Sequence, residues 1–197
     1  MGSIFLSASV PVPGREYYDR CSPFQIHSAV RTFLTLALGR RHLVFGGHPS
    51  ITPMVHAACI NFGLEQSHAV TIYQSAYFED QFPLENKGFA DMRVVPAAGG
   101  LKDSVAAMRA AMLSEWSFDA GVFIGGMNGV HDEHAYFCQL HPGAVIVPVR
   151  HPGGAAADLP ASNVSESAES ESDASRDYLS IFIERLNIDP ATERGQI

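Results

Sequence analysis

The sequence predicts an α/β fold, an open parallel sheet flanked by helices on both faces. Short apolar runs of strand length alternate with segments of helical periodicity from one end of the chain to the other. Several of those runs are apolar throughout, as strands covered on both faces must be. Strand and helix alternating in this way imply parallel strands joined by right-handed crossovers, the doubly wound arrangement. At 197 residues the chain suits one domain, 1–197, and can bury roughly 70% of its unfolded surface without a metal or disulfide.

The strand-like runs are Ser3 to Val10, His42 to Phe45, Ala69 to Tyr73, Met92 to Val95, Gly121 to Ile124 and Ala144 to Val149. Pro23 to Gly39 carries Phe24, Ile26, Val30, Phe33, Leu34, Leu36 and Leu38 at roughly helical spacing, with Gly39 as a stop. Those apolar residues fall on more than one face, which fits either a dimer interface or a helix buried within the monomer. Pro53 to Phe62 reads as a helix with Thr52 as N-cap, Pro53 in its first position and Gly63 past its end. A third helix, about Lys102 to Trp116, turns Val105, Met108, Met112 and Leu113 inward. Val130 to Leu140 and Tyr178 to Leu186 complete the set, with no internal repeat. Residues 161–175 contain SESAESESD, four carboxylates in nine residues, and read as a flexible Ser/Glu-rich surface loop.

Composition excludes several classes of function. The formal charge is −8, and only two lysines, Lys87 and Lys102, are present, so no broad basic face meets a nucleic-acid polymer. No apolar run approaches the roughly 18 residues of a membrane helix, and no basic region precedes the short N-terminal apolar stretch. Cys21, Cys59 and Cys138 are odd in number and far apart, which points to the cytoplasm rather than to a disulfide framework or a zinc site.

In an open parallel sheet, ligands bind outside the carboxyl ends of the strands, so the loops there hold the candidate site. The second strand runs into Gly46, Gly47, His48, Pro49, Ser50 and Thr52. Paired glycines allow close backbone approach and the next helix offers amides to an anion; the same loop equally suits a tight turn capped by Thr52. The missing lysine excludes a Walker motif. The fifth strand ends in Gly125, Gly126, Met127, Asn128 and Gly129, with Asp132 and Glu133 in the first turn of the next helix. Those acids either favour a helix N-terminus or supply a carboxylate for ribose hydroxyls or base chemistry. His131 and His134 alone lack the further ligands zinc needs, and no metal is expected. After the sixth strand come Arg150, Gly153 and Gly154, and the first strand delivers Ser7 and Ser9 to the same edge. Gln74 and Tyr77 follow the third strand as candidates to border a base, with Tyr73 and Phe78 read as core.

These loops resemble the SLOG superfamily, the Rossmann-like domains related to the LOG phosphoribohydrolases. The resemblance is carried by IFLSASVP, LVFGGHPSITPMVHAA and DAGVFIGGMNGVHDEH, together with RHPGGAAADL. Against the LOG pattern P-G-G-x-G-T-x-x-E, Gly126, Gly129 and Glu133 match, while Gly125, Met127 and Val130 depart. The Arg-Lys pair of the LOG enzymes falls on Ala110 and Ala111. Arg109 is adjacent, but one helical position is a rotation of about 100°.

The resemblance implies binding or sensing of a nucleotide-derived small molecule, such as ADP-ribose, cyclic ADP-ribose or an NAD-related compound. The setting it implies is a bacterial defence or stress-signalling pathway, with antiphage effectors among the relatives, a homodimer, and a separate effector protein as a further partner. No cofactor beyond the nucleotide ligand is required. A LOG-like hydrolysis of the N-glycosidic bond, with Glu133 as central carboxylate and Arg109 or Arg150 as cation, is the alternative. A TIR-like domain, which also opens with an apolar strand and a serine-bearing loop, is the second.

Overall fold

A computed structural model describes residues 2–160 and 177–195. Residues 161–175, read above as a loop, lie outside the described residues. Six parallel strands form one sheet in the order β4-β3-β2-β1-β5-β6. They are β1 (Ser3–Ser9), β2 (Leu43–Phe45), β3 (Val70–Ser75), β4 (Asp91–Val95), β5 (Phe118–Gly125) and β6 (Val145–Val149). Each coincides with a predicted run, and the order reverses direction between β1 and β5. That switch point opens a crevice above the carboxyl ends of the central strands.

Alternation along the strands divides the core in two. Ile4 and Leu6 of β1, Leu43 and Phe45 of β2 and Ile72 of β3 face helices α1 (Pro23–Ala37), α2 (Thr52–Asn61) and α5 (Tyr178–Leu186). Phe5, Val44, Tyr73 and Phe123 face α3 (Leu101–Ser114) and α4 (Gly129–Leu140) on the other side. Most of the apolar surface of α1 is buried within the monomer, whereas Phe24 stands exposed on it. Ile26, Val30, Phe33 and Leu34 are buried, and Phe33 meets Phe182 of α5 edge to face at 5.5 Å. No helix among the described residues is long and apolar enough to cross a membrane.

Two local expectations differ from the structure. Thr52 is the first residue of α2, not its cap; Ile51 takes the N-cap position and the Thr52 hydroxyl donates back to the His48 carbonyl at 3.0 Å. The first N–H groups are met by backbone instead, those of Ile51 and Thr52 by the His48 carbonyl and that of Met54 by the Ile51 carbonyl, so the turn needs no side-chain acceptor. Between β3 and β4 the chain forms two short 3₁₀ segments, Ala76–Gln81 and Leu84–Gly88, which periodicity does not reveal. Phe78 and Gln81 of the first segment, with Pro83 just after it, build one wall of the crevice, while the second segment packs against α2.

Candidate functional site

A cavity of about 600 Å³ opens at the switch point, within the range of small-molecule sites. Of the residues expected there, Ser7, Ser9, Gly46, Gly47, His48, Gln74, Arg109, Asn128, Gly129 and Glu133 line it. The structure brings them together from β1, the β2 exit, β3, α3 and the start of α4.

Glu133 is the centre of the polar wall. Just past the first turn of α4 it meets β1, where Ser7 Oγ donates to its Oε2 at 2.6 Å. Arg109 Nε donates to its Oε1 at 3.1 Å, and Arg109 Nη1 reaches Asp132 Oδ2 at 3.1 Å. The two carboxylates are unequal partners. Glu133 and Arg109 side chains are each 18% exposed, whereas Asp132 is 72% exposed and contributes little through solvent. Arg109 thus reaches the glutamate although α3 sets it one position away from the expected pair. Its guanidinium crosses Gly129 so closely that a methyl there would lie 2.4 Å from Nη2.

Beside this pair, the start of α4 is unspent. Asn128 makes no side-chain cap, and among the described residues the N–H groups of Met127, Asn128 and Gly129 donate to nothing. Unpaired amides at a helix N-terminus favour an anion. Ser9 Oγ likewise has no hydrogen-bond partner among the described residues. Across the cavity, His48 is held by Ser50, whose N–H donates to Nδ1 at 3.2 Å. That contact assigns the proton of the neutral imidazole to Nε2, and burial lowers the histidine's pKa, favouring that neutral form.

Seven expected ligand-binding residues fall outside the cavity lining, each with a local task. Ser50 Oγ accepts from Val10 N–H at 3.0 Å, and Thr52 is sealed beneath the turn. Gly125 is wedged against Ile26 and the Ser9 carbonyl, and Gly126 N–H donates to that carbonyl at 2.8 Å. Arg150 Nη2 donates to the Leu159 carbonyl at 2.6 Å. Gly153 and Gly154 pack on backbone: Gly154 N–H donates to the Arg20 carbonyl at 3.1 Å, and a methyl on Gly154 would lie 2.5 Å from the Gly125 carbonyl carbon. Arg150 therefore sits apart from Glu133 as a candidate cation, and Arg109 takes that place.

Tyr77 is exposed and does not line the cavity. Tyr73 is core, its hydroxyl donating to Glu115, but Phe78 lines the cavity. Pro83, Leu101, Val105 and Met108 join it as an apolar wall, and Arg15 reaches in from the loop before α1. Sequence periodicity marked Val105 and Met108 as inward, which they are; both border the cavity, and Met108 also belongs to the core beneath it. His131 and His134 are engaged elsewhere, with Tyr17 and Cys138 respectively. Among the described residues no group of three metal-ligating side chains occurs.

A family model described as the SLOG cluster3 family matches residues 16–186, so β1 with Ser7 and Ser9 precedes the matched span. No curated protein matches the chain.

Proposed function

Because the chain belongs to the SLOG cluster3 family, a Rossmann-like nucleotide-related fold, we propose that the cavity binds a nucleotide-derived small molecule as a signal. The observation that carries the proposal is the polar wall: a carboxylate fixed by Ser7 and Arg109 beside three unspent amides. Glu133 retains lone pairs to accept from ribose hydroxyls, and the amides of Met127 to Gly129, with Ser9 Oγ and Arg15, are suited to a phosphate. An apolar wall of Phe78, Pro83, Leu101, Val105 and Met108 suits the base. ADP-ribose, cyclic ADP-ribose and NAD-related compounds are the ligands the resemblance favours. A bacterial defence or stress pathway, with a separate effector reading the bound state, belongs to the same proposal.

Calorimetry against ADP-ribose, cyclic ADP-ribose, NAD and AMP tests it. At least one is expected to bind, and Glu133→Gln is expected to weaken that binding about tenfold, the scale of a charge-assisted hydrogen bond. Absence of binding by all four overturns the proposal.

One observation favours a second reading. Arg109 supplies a cation beside Glu133 in place of the absent Arg-Lys pair; in hydrolysis of a nucleoside monophosphate the carboxylate would stabilise the positive charge that develops on the ribose, and the cation would serve the phosphate or the leaving base. Release of free base from AMP, abolished in Glu133→Gln, would establish it. Binding without turnover leaves the sensor. The family membership gives no support to a TIR-like domain.

A further inference from the structure

We infer that Gln74 is the specificity-determining residue of this site, selecting a nucleobase whose exocyclic amino group lies next to a ring-nitrogen acceptor. The inference rests on the nucleotide reading above and deepens it.

Gln74 stands near the end of β3, is 5% exposed and lines the cavity. Its side chain makes one hydrogen bond among the described residues, from Nε2 to the Gly47 carbonyl at 2.8 Å. A carbonyl only accepts, so the amide nitrogen must face Gly47 and the orientation of the carboxamide is decided by chemistry. Gly47 lies flush against it: a methyl there would fall 1.8 Å from Nε2 and 2.8 Å from Ile72. Turning the amide over would set its oxygen against the Gly47 carbonyl with no proton between them.

The other two capacities of the carboxamide are unused. Oε1 accepts nothing among the described residues, yet it is not a sealed atom; the sealed, unpartnered side-chain atoms among the described residues are those of Asn86. Oε1 is therefore open to the cavity. The second N–H of Nε2 has no acceptor either. A fixed acceptor beside a fixed donor pairs with the amino group and ring nitrogen of adenine, or with the equivalent edge of cytosine. Held in the same pose by the ribose end, hypoxanthine, guanine and uracil set a carbonyl against Oε1 and a ring N–H against the Nε2 proton, two repulsive contacts that only the forbidden amide orientation would relieve.

Position agrees with this assignment. β3 is separated from β1 by β2, two strand spacings or roughly 10 Å. A ligand touching both Gln74 and the Ser7–Glu133 pair is extended across that distance. Its base end then falls beside Phe78 and Pro83, which follow Gln74 in the chain and line the same cavity.

The test compares AMP with IMP and CMP with UMP by calorimetry on the intact protein, each pair differing by amino to oxo with the attendant change at the ring nitrogen. If the monophosphates bind too weakly to measure, ADP-ribose and its hypoxanthine analogue replace them. The amino-bearing member that binds is expected to bind about ten- to a hundred-fold tighter than its oxo partner, as a bidentate base contact does. Gln74→Met is expected to bring that ratio close to one, a change that mere loss of folding or of general affinity would not produce. Should Gln74→Met fail to fold, the wild-type ratio decides alone. Equal affinities, an oxo preference, or a ratio that survives in Gln74→Met overturns the role of Gln74 and leaves nucleotide binding standing. No binding by any of the six compounds overturns selection by Gln74; if cyclic ADP-ribose and NAD fail as well, nucleotide binding falls with it.

Discussion

Two glycine-rich strand exits look alike in sequence and do opposite things. Gly153-Gly154, after β6, is consumed by packing: Gly154 lies on the backbone of Gly125, and an isolated bridge joins Gly153 to Cys21. Gly129, at the end of the β5 exit, borders the cavity, and the group it admits is the tip of the Arg109 side chain. The lesson is that a glycine run reports close approach of something. Whether that something is backbone or a functional side chain is decided by what a methyl would meet.

The largest effect that separates the two follows from Gly154→Ala. Its φ of +77° with ψ of −175° lies in a region essentially confined to glycine, costing another residue about 1–3 kcal/mol, and the added methyl meets rigid backbone at 2.5 Å. Together with overpacking of 1–3 kcal/mol, roughly 3 kcal/mol of stability is lost, a fall of about 10 °C in melting temperature. Thermal melts followed by circular dichroism measure it. An unchanged melting temperature would show that this exit is free to move and return it to the list of ligand loops.

Gly129→Ala is expected to do the reverse. No left-handed φ is required there, the position opens α4, and the methyl meets only the movable end of Arg109. Stability should hold within about 1 kcal/mol because alanine suits a helix better than glycine. Arg109 must leave Glu133, however, so affinity for whichever nucleotide the wild type binds should fall several-fold. Arg109→Gln should give the same loss, and combining the two should add nothing, as expected for residues acting through one contact. Additive losses would place Gly129 in direct contact with ligand.

This contrast also explains what could be read from the chain. All six strands and five helices follow from local apolar periodicity, which carries the face of each residue with it; Phe5 and Leu6 part to opposite sides of the sheet as alternation demands. Ser7, Gln74 and Glu133 could be placed at the cavity because strand exits converge in a parallel sheet. Ser50 and Thr52 lie outside its lining, since a hydroxyl near a helix start serves the turn as readily as a ligand. Arg109 was underestimated because backbone spacing fixes the direction of Cβ, and a long side chain sweeps well beyond that. Phe78, Pro83 and Arg15 were hidden for another reason: they stand on non-repetitive segments whose path depends on the elements beneath. The pair Tyr77-Phe78 just past a strand end was the one available signal of an aromatic at the crevice.

The smallest effect concerns protonation, and it divides the molecule along the same line. Burial lowers the pKa of His42, His48 and His134. Each folded value lies below the ordinary one of about 6.5, so between the two the unfolded chain binds more protons and stability rises with pH. The melting temperature should therefore be level above about pH 7, decline as pH falls through about 6.5, and stop declining on this account once the folded values are passed. Asp91, where burial is outweighed by the bonds to Thr71 and Arg93 that lower its pKa, stabilises the fold in full above its ordinary value of 3.8 and loses that contribution only as pH falls below it. Of the three histidines only His48 borders the cavity. A bound anion beside it favours the charged ring and should flatten its share of the acid-side decline, while the shares of His42 and His134 persist. Melts across pH 5 to 8 with and without saturating nucleotide measure this. A His48→Gln protein should show a gentler decline than the wild type without ligand; if ligand flattens the His48→Gln profile as much as the wild-type profile, the anion lies away from the β2 exit and its place is confined to the start of α4.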